Sequence, residues 1–112
     1  MTFLNLLAKI KAFPIKEKRF EQPNFLEVVI LTKDLEAFSR LLENYFGPPV
    51  KPLGEIPAGR WSLLAEEVGG VRQNQTLYGQ EEESAIYLAM IWPWGDKTLA
   101  TVKVIQRKPK IK

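Results

Sequence analysis

Phe25-Leu26-Glu27-Val28-Val29-Ile30-Leu31 carries one charge in seven residues, and the way its side chains divide between two faces decides the fold. In an extended chain successive side chains point to opposite sides. Leu26, Val28 and Ile30 then share one face, while Phe25, Val29 and Leu31 share the other with Glu27. A strand that is apolar on both sides belongs inside a sheet covered on both sides. The stretch Ser84 to Trp92 repeats the pattern, with Ile86, Leu88, Met90 and Trp92 alternating against Ala85, Tyr87, Ala89 and Ile91.

Immediately after the first strand, Thr32 is placed to cap a helix whose first turn holds Asp34 and Glu36. Leu35, Phe38, Leu41, Leu42, Tyr45 and Phe46 form one apolar stripe, and Gly47-Pro48-Pro49 provides the stop. A single helix is about 10 Å wide and strands lie about 4.8 Å apart, so one helix cannot cover both faces of the sheet. Two candidates exist for the second face: an amphipathic helix at the N-terminal end, or a second copy of the chain. The small size of the first favours a homodimer.

That N-terminal helix is read at residues 2 to 12, from the spacing of Phe3, Leu4, Leu6, Leu7 and Ile10, and it ends before Pro14. Lys16 to Asn24 reads as a polar linker. The chain is thus expected to comprise residues 1 to 22, an amphipathic helix with a basic linker, and residues 23 to 112, a single α+β domain with a basic tail. Within 47 to 59, four Pro and three Gly make a stiff connector. Four strands follow, at Arg60 to Glu66, Val71 to Tyr78, Ser84 to Trp92 and Thr98 to Gln106, with turns at Gly69-Gly70, Gly79 to Glu83 and Pro93 to Lys97. The expected architecture is α+β, a βαββββ order in which one helix and an antiparallel meander follow the first strand, with the main helix on one sheet face.

Charge is distributed unevenly. Residues 1 to 19 sum to +4 and residues 103 to 112 to +5, around a body at −6, for a formal total of +3. Lys9, Lys11, Lys16, Lys18 and Arg19 at one end, with Lys108 and Lys110 at the other, could hold a membrane surface, or with less support a nucleic acid. An amphipathic helix beside them adds an apolar face for a bilayer.

The chain has no Cys and no His. The first absence removes disulfides, thiolate nucleophiles and zinc ribbons, and suits a reducing compartment such as the cytoplasm. The second removes the commonest general base and transition-metal ligand. Glu66, Glu67, Asp96 and Lys33 remain as reactive groups, and no spacing convenes them. We therefore expect a non-catalytic chain with no cofactor and no metal. The N-terminal residues lack a secretory pattern, and the apolar run Ala85 to Trp94 is far shorter than the roughly 20 residues of a spanning helix.

Several short motifs are weaker. Trp92-Pro93-Trp94 on a hairpin tip, with Trp61, offers aromatic anchors for a protein partner or a small apolar ligand. Pro49-Val50-Lys51-Pro52 has the PxxP pattern. Gly69-Gly70 lacks the Lys and helix of a phosphate loop, and Glu81-Glu82-Glu83 lacks calcium-loop spacing.

The order strand, helix opening with Lys33-Asp34-Leu35, then antiparallel strands resembles one βαβββ half of the vicinal oxygen chelate family over about residues 25 to 50. The resemblance implies a dimer that completes one site from two halves. The family binds metal through His and Glu, and with no His in this chain no site residue carries over.

Overall fold

The computed structural model describes residues 2–56 and 58–107. In chain order these form α1 (Phe3–Lys11), β1 (Ile15–Gln22), β2 (Phe25–Leu31), a 3-10 turn (Thr32–Asp34), α2 (Leu35–Phe46), α3 (Gly59–Glu66), β3 (Thr76–Glu81), β4 (Ile86–Pro93) and β5 (Leu99–Arg107). The five strands make one antiparallel sheet in the order β1-β2-β5-β4-β3. The α+β class, the short N-terminal helix and the antiparallel sheet are as the sequence indicates. The last strand inserts between β2 and β4, so the two doubly apolar strands flank the central one and neither is a sheet edge.

Both faces of those strands are indeed covered. On the first face, α1 and α2 lie together over Leu26, Val28 and Ile30 of β2 and the matching residues of β4 and β5. Thr2 caps α1 by accepting the Asn5 N–H at 3.1 Å, and Phe3, Leu6, Leu7 and Ile10 turn into the core. Along α2, Phe38, Leu41, Leu42 and Phe46 do the same. The main helix therefore sits on one sheet face, as expected, and α1 shares that face with it.

The second face is covered from within the chain, and not by α1. Its cover is α3, which stacks Ala65, Trp61 and Leu64, with Val68 beyond it, on Leu77, Leu88, Met90 and Ile105. Residues 60 to 66 are thus helix, where the sequence reading placed a strand. The inward-packed positions 61, 64, 65 and 68, of which Ala65 is fully buried, follow helical spacing, so the second apolar layer comes from within the chain. The argument that a second layer must exist holds, and its reason for a homodimer does not.

Three further boundaries move. Residues 16 to 22, read as linker, form most of edge strand β1, seven of whose eight residues are exposed. Two register shifts against β2 and a run of charges mark it as a protected edge that discourages further strand addition. The strand read at 71 to 78 begins at Thr76, and Gly79 lies inside it opposite Leu88. Thr32 starts the 3-10 turn, and Asp34 occupies the cap position of α2 without a side-chain bond.

Candidate binding surface

All three tryptophans lie on the second sheet face, and each is already engaged. The Trp61 ring rests on the backbone of Gly79. The Lys103 ammonium stands 3.9 Å above the centre of the Trp92 ring and 3.9 Å from a Glu27 carboxylate oxygen. Glu27 also faces Arg19 at 4.0 Å, and Arg19 lies 5.3 Å over the ring of Trp94. Trp94 in turn donates its Nε1–H to the Thr101 hydroxyl at 2.9 Å. This row of aromatic faces and charges closes the part of the sheet that α3 does not reach. The rings read as anchors for a partner are stacked against the protein's own cations.

The basic N-terminal residues divide into paired and free. Lys11 and Lys18 each hold Glu21 at 2.7 Å, and these two ammonium groups bring the Glu21 carboxyl down to about 2. Arg19 pairs with Glu17 at 3.1 Å. Lys9 and Lys16 are exposed. The apolar stripe of α1 is committed to the core, leaving Leu4, 70% exposed, as the large apolar side chain that α1 turns outward. Between α1 and the β1–β2 hairpin runs a slot of about 290 Å³, walled by Leu4, Leu7, Ala8 and Leu26 with Lys11 and Glu21 at its rim. Lys108 and Lys110 lie outside the described residues. Among the described residues no helix is long and apolar enough to cross a membrane.

The reactive groups singled out from sequence do not converge. Glu67 is held by both guanidinium nitrogens of Arg107 at 2.7 and 3.0 Å. Asp96 accepts the Thr98 N–H at 3.0 Å, and that backbone bond keeps its carboxyl below the usual range. Lys33 is exposed on the 3-10 turn. Lys51, the middle of the PxxP pattern, is buried and donates to the Gln73 carbonyl at 2.8 Å and to that of Gln75. Burial pushes this amine down, with Glu55 pulling the other way. The segment itself bonds to the edge of β3, the Val50 and Lys51 N–H groups donating to the Leu77 carbonyl. It is a structural tie.

What sequence reading missed is the outer side of the second layer. Of the six large apolar side chains exposed among the described residues, four lie within 50 to 63: Val50, Leu53 (63% exposed), Ile56 (76%) and Leu63 (64%). Leu53 borders an open hollow of about 540 Å³ against Arg72 and Gln73. Leu63 and Glu66 border another, of about 410 Å³, against Gly69, Gly70 and the same Arg72. Arg72 borders both hollows. Gln73 fixes the connector here, donating its Nε2–H to the Gly54 carbonyl at 3.0 Å and accepting the Gly54 N–H at 2.8 Å. The signal was present in the sequence as Leu53, Ile56 and Leu63 within a Pro-rich connector and the helix it leads into. Apolar residues in a surface segment are unexplained by the core.

Comparison of the chain with protein-family models, with curated proteins and with solved structures finds no match.

Proposed function

We propose that this chain is a non-catalytic interaction module that works in the cytoplasm as a homodimer, docking through the outer side of the connector and α3. The observation that carries the reading is the exposure of Leu53 and Leu63 beside two hollows that both border Arg72, with Ile56 exposed in the connector between them in sequence. Monomeric proteins seldom leave a large contiguous apolar patch in water, and burying one stabilises association by about 25 cal/mol per Å² before the costs of binding. A second copy suits this surface because it carries exposed groups of both signs that form no ion pair among the described residues, Arg72 against Glu66 and Glu55. Edge pairing through β1 is an inferior route, given its bulges and charges. A chain without Cys suits the reducing conditions of the cytoplasm.

Sedimentation equilibrium of the full chain over a wide concentration range tests the reading. A reversible dimer that Leu63→Ser and Leu53→Ser weaken, with the fold intact by circular dichroism, supports it. A monomer at every concentration overturns it and transfers the surface to a different protein or to a small apolar ligand.

A further inference from the structure

We infer that the slot between α1 and the β1–β2 hairpin binds one free aliphatic carboxylate, its chain laid along α1 and its charged end at Lys11. The slot lies on the sheet face opposite α3, so its use does not depend on the homodimer. Leu4, Leu7, Ala8 and Lys11 line it from the helix, a spacing that follows one side of α1 over two turns. Across from them stand Glu21, Gln22, Pro23 and Leu26. Leu7 and Leu26 are buried in the core and still border the slot, so they are its floor, while the exposed Leu4 and Ala8 form its lip. Two turns of helix span about 10 Å, which an extended chain of roughly eight carbons matches at about 1.5 Å per bond. A volume of about 290 Å³ is small for a ligand cavity and suits a single chain.

Charge at the rim selects the sign of the occupant. Glu21 is shared by Lys11 and Lys18, each at 2.7 Å, so this cluster of two ammonium groups and one carboxylate keeps a net +1. Glu21 gives up its own charge only at a pH of about 2, and the excess therefore holds through the neutral range. The two elements that wall the slot carry the same sign, since residues 3 to 22 hold five Lys and Arg against Glu17 and Glu21. A carboxylate supplies the missing negative charge. It can accept from Lys11 without displacing Glu21, because an ammonium group has three donors. An inorganic anion would gain nothing from the leucines, and an uncharged chain would gain nothing from the rim. A bilayer is the poorer source of such a ligand, because the apolar stripe that α1 would lay on it faces the core.

Titration of the full chain with octanoate, followed through its backbone amide shifts by NMR, tests the site. Saturable shifts should centre on Leu4, Ala8, Lys11 and Gln22, with butanoate and octan-1-ol each binding about tenfold more weakly or worse. Lys11→Met keeps the length of the side chain and removes the net charge; it should weaken octanoate by about tenfold and leave octan-1-ol nearly unchanged. Glu21→Gln raises the excess to +2 and should tighten octanoate by about threefold. Ala8→Trp fills the slot and should abolish binding of both. All three positions are exposed, and circular dichroism checks that each variant folds. The inference is overturned if no saturable shift occurs below the micelle concentration of octanoate, if the shifts centre on Arg72 or Trp94, or if octan-1-ol binds as well as octanoate. Shifts at the slot that require phosphatidylserine vesicles in place of free octanoate also overturn it, and would make this a membrane contact.

Discussion

The ring of Trp61 lies against Gly79 so closely that a Cβ added there would meet two ring carbons at 2.5 Å. Gly79 sits mid-strand in β3, and its φ is not in the left-handed region, so its role is space and not backbone freedom. The contact fixes how near α3 approaches the sheet. Gly79→Ala should cost about 1–3 kcal/mol, because the ring must shift and carry the helix with it. Urea unfolding measures the loss. Trp61→Leu in the same background should recover part of it, giving a non-additive cycle. Additive effects would mean that the two residues are not in contact.

This same contact explains what could be read from the sequence. β2 and α2 were legible because burial imposes a clean period on them, two for Leu26-Val28-Ile30 and near 3.6 for Phe38, Leu41, Leu42. α3 was not, because Trp61, Leu63 and Ala65 also alternate, and eight residues are too few to separate the two periods by eye. Trp61, Leu64, Ala65 and Val68 show the helical spacing, with Leu63 falling outside it and into solvent. β1 was illegible for another reason. Its side chains are mostly charged and exposed, so what holds it is backbone pairing with β2, a term that leaves no hydrophobic pattern.

The candidate surface was less legible than the fold. Tryptophans attract notice as anchors, and the structure turns Trp92 and Trp94 inward under Lys103 and Arg19. The exposed Leu53 and Ile56 look ordinary in a Pro-rich connector. Only the structure shows that Leu53 borders a hollow whose Arg72 also lines the one beside Leu63 on α3.

Tyr45 gives the fold a pH limit. Burial first, then the neighbouring Tyr87 and Glu82, raise its phenol from 10.0 to about 12. Between those values the unfolded chain loses this proton and the folded chain keeps it. Its contribution is therefore fully present below pH 10 and is lost as pH rises through about 12. Tyr78, raised chiefly by burial, acts in the same direction, whereas the lowered Lys51 acts in the opposite one as pH rises toward 10.5. Alkaline unfolding of Tyr45→Phe should show a shallower fall over this window than the parent. Identical slopes would place Tyr45 in a less buried setting than the one it has against Tyr87.

The N-terminal lysines make a distinct prediction about polyanions. Glu21 holds Lys11 and Lys18 together, and it stays ionised down to a pH of about 2. The apolar stripe of α1 that a bilayer would require is buried as Phe3, Leu6, Leu7 and Ile10. We expect the full chain to ignore phosphatidylcholine–phosphatidylserine vesicles at physiological salt and to leave heparin at low salt. Glu21→Gln releases both lysines and should move heparin elution to higher salt, since each freed cation adds a screened contact with the polyanion. Removing residues 1 to 13 should uncover the first sheet face and cause aggregation, because Leu6 and Ile10 are part of the core that α1 shares with α2. Vesicle binding by the parent chain that falls steeply with salt would instead give its cationic ends the leading role, and the apolar surface beside Arg72 a secondary one.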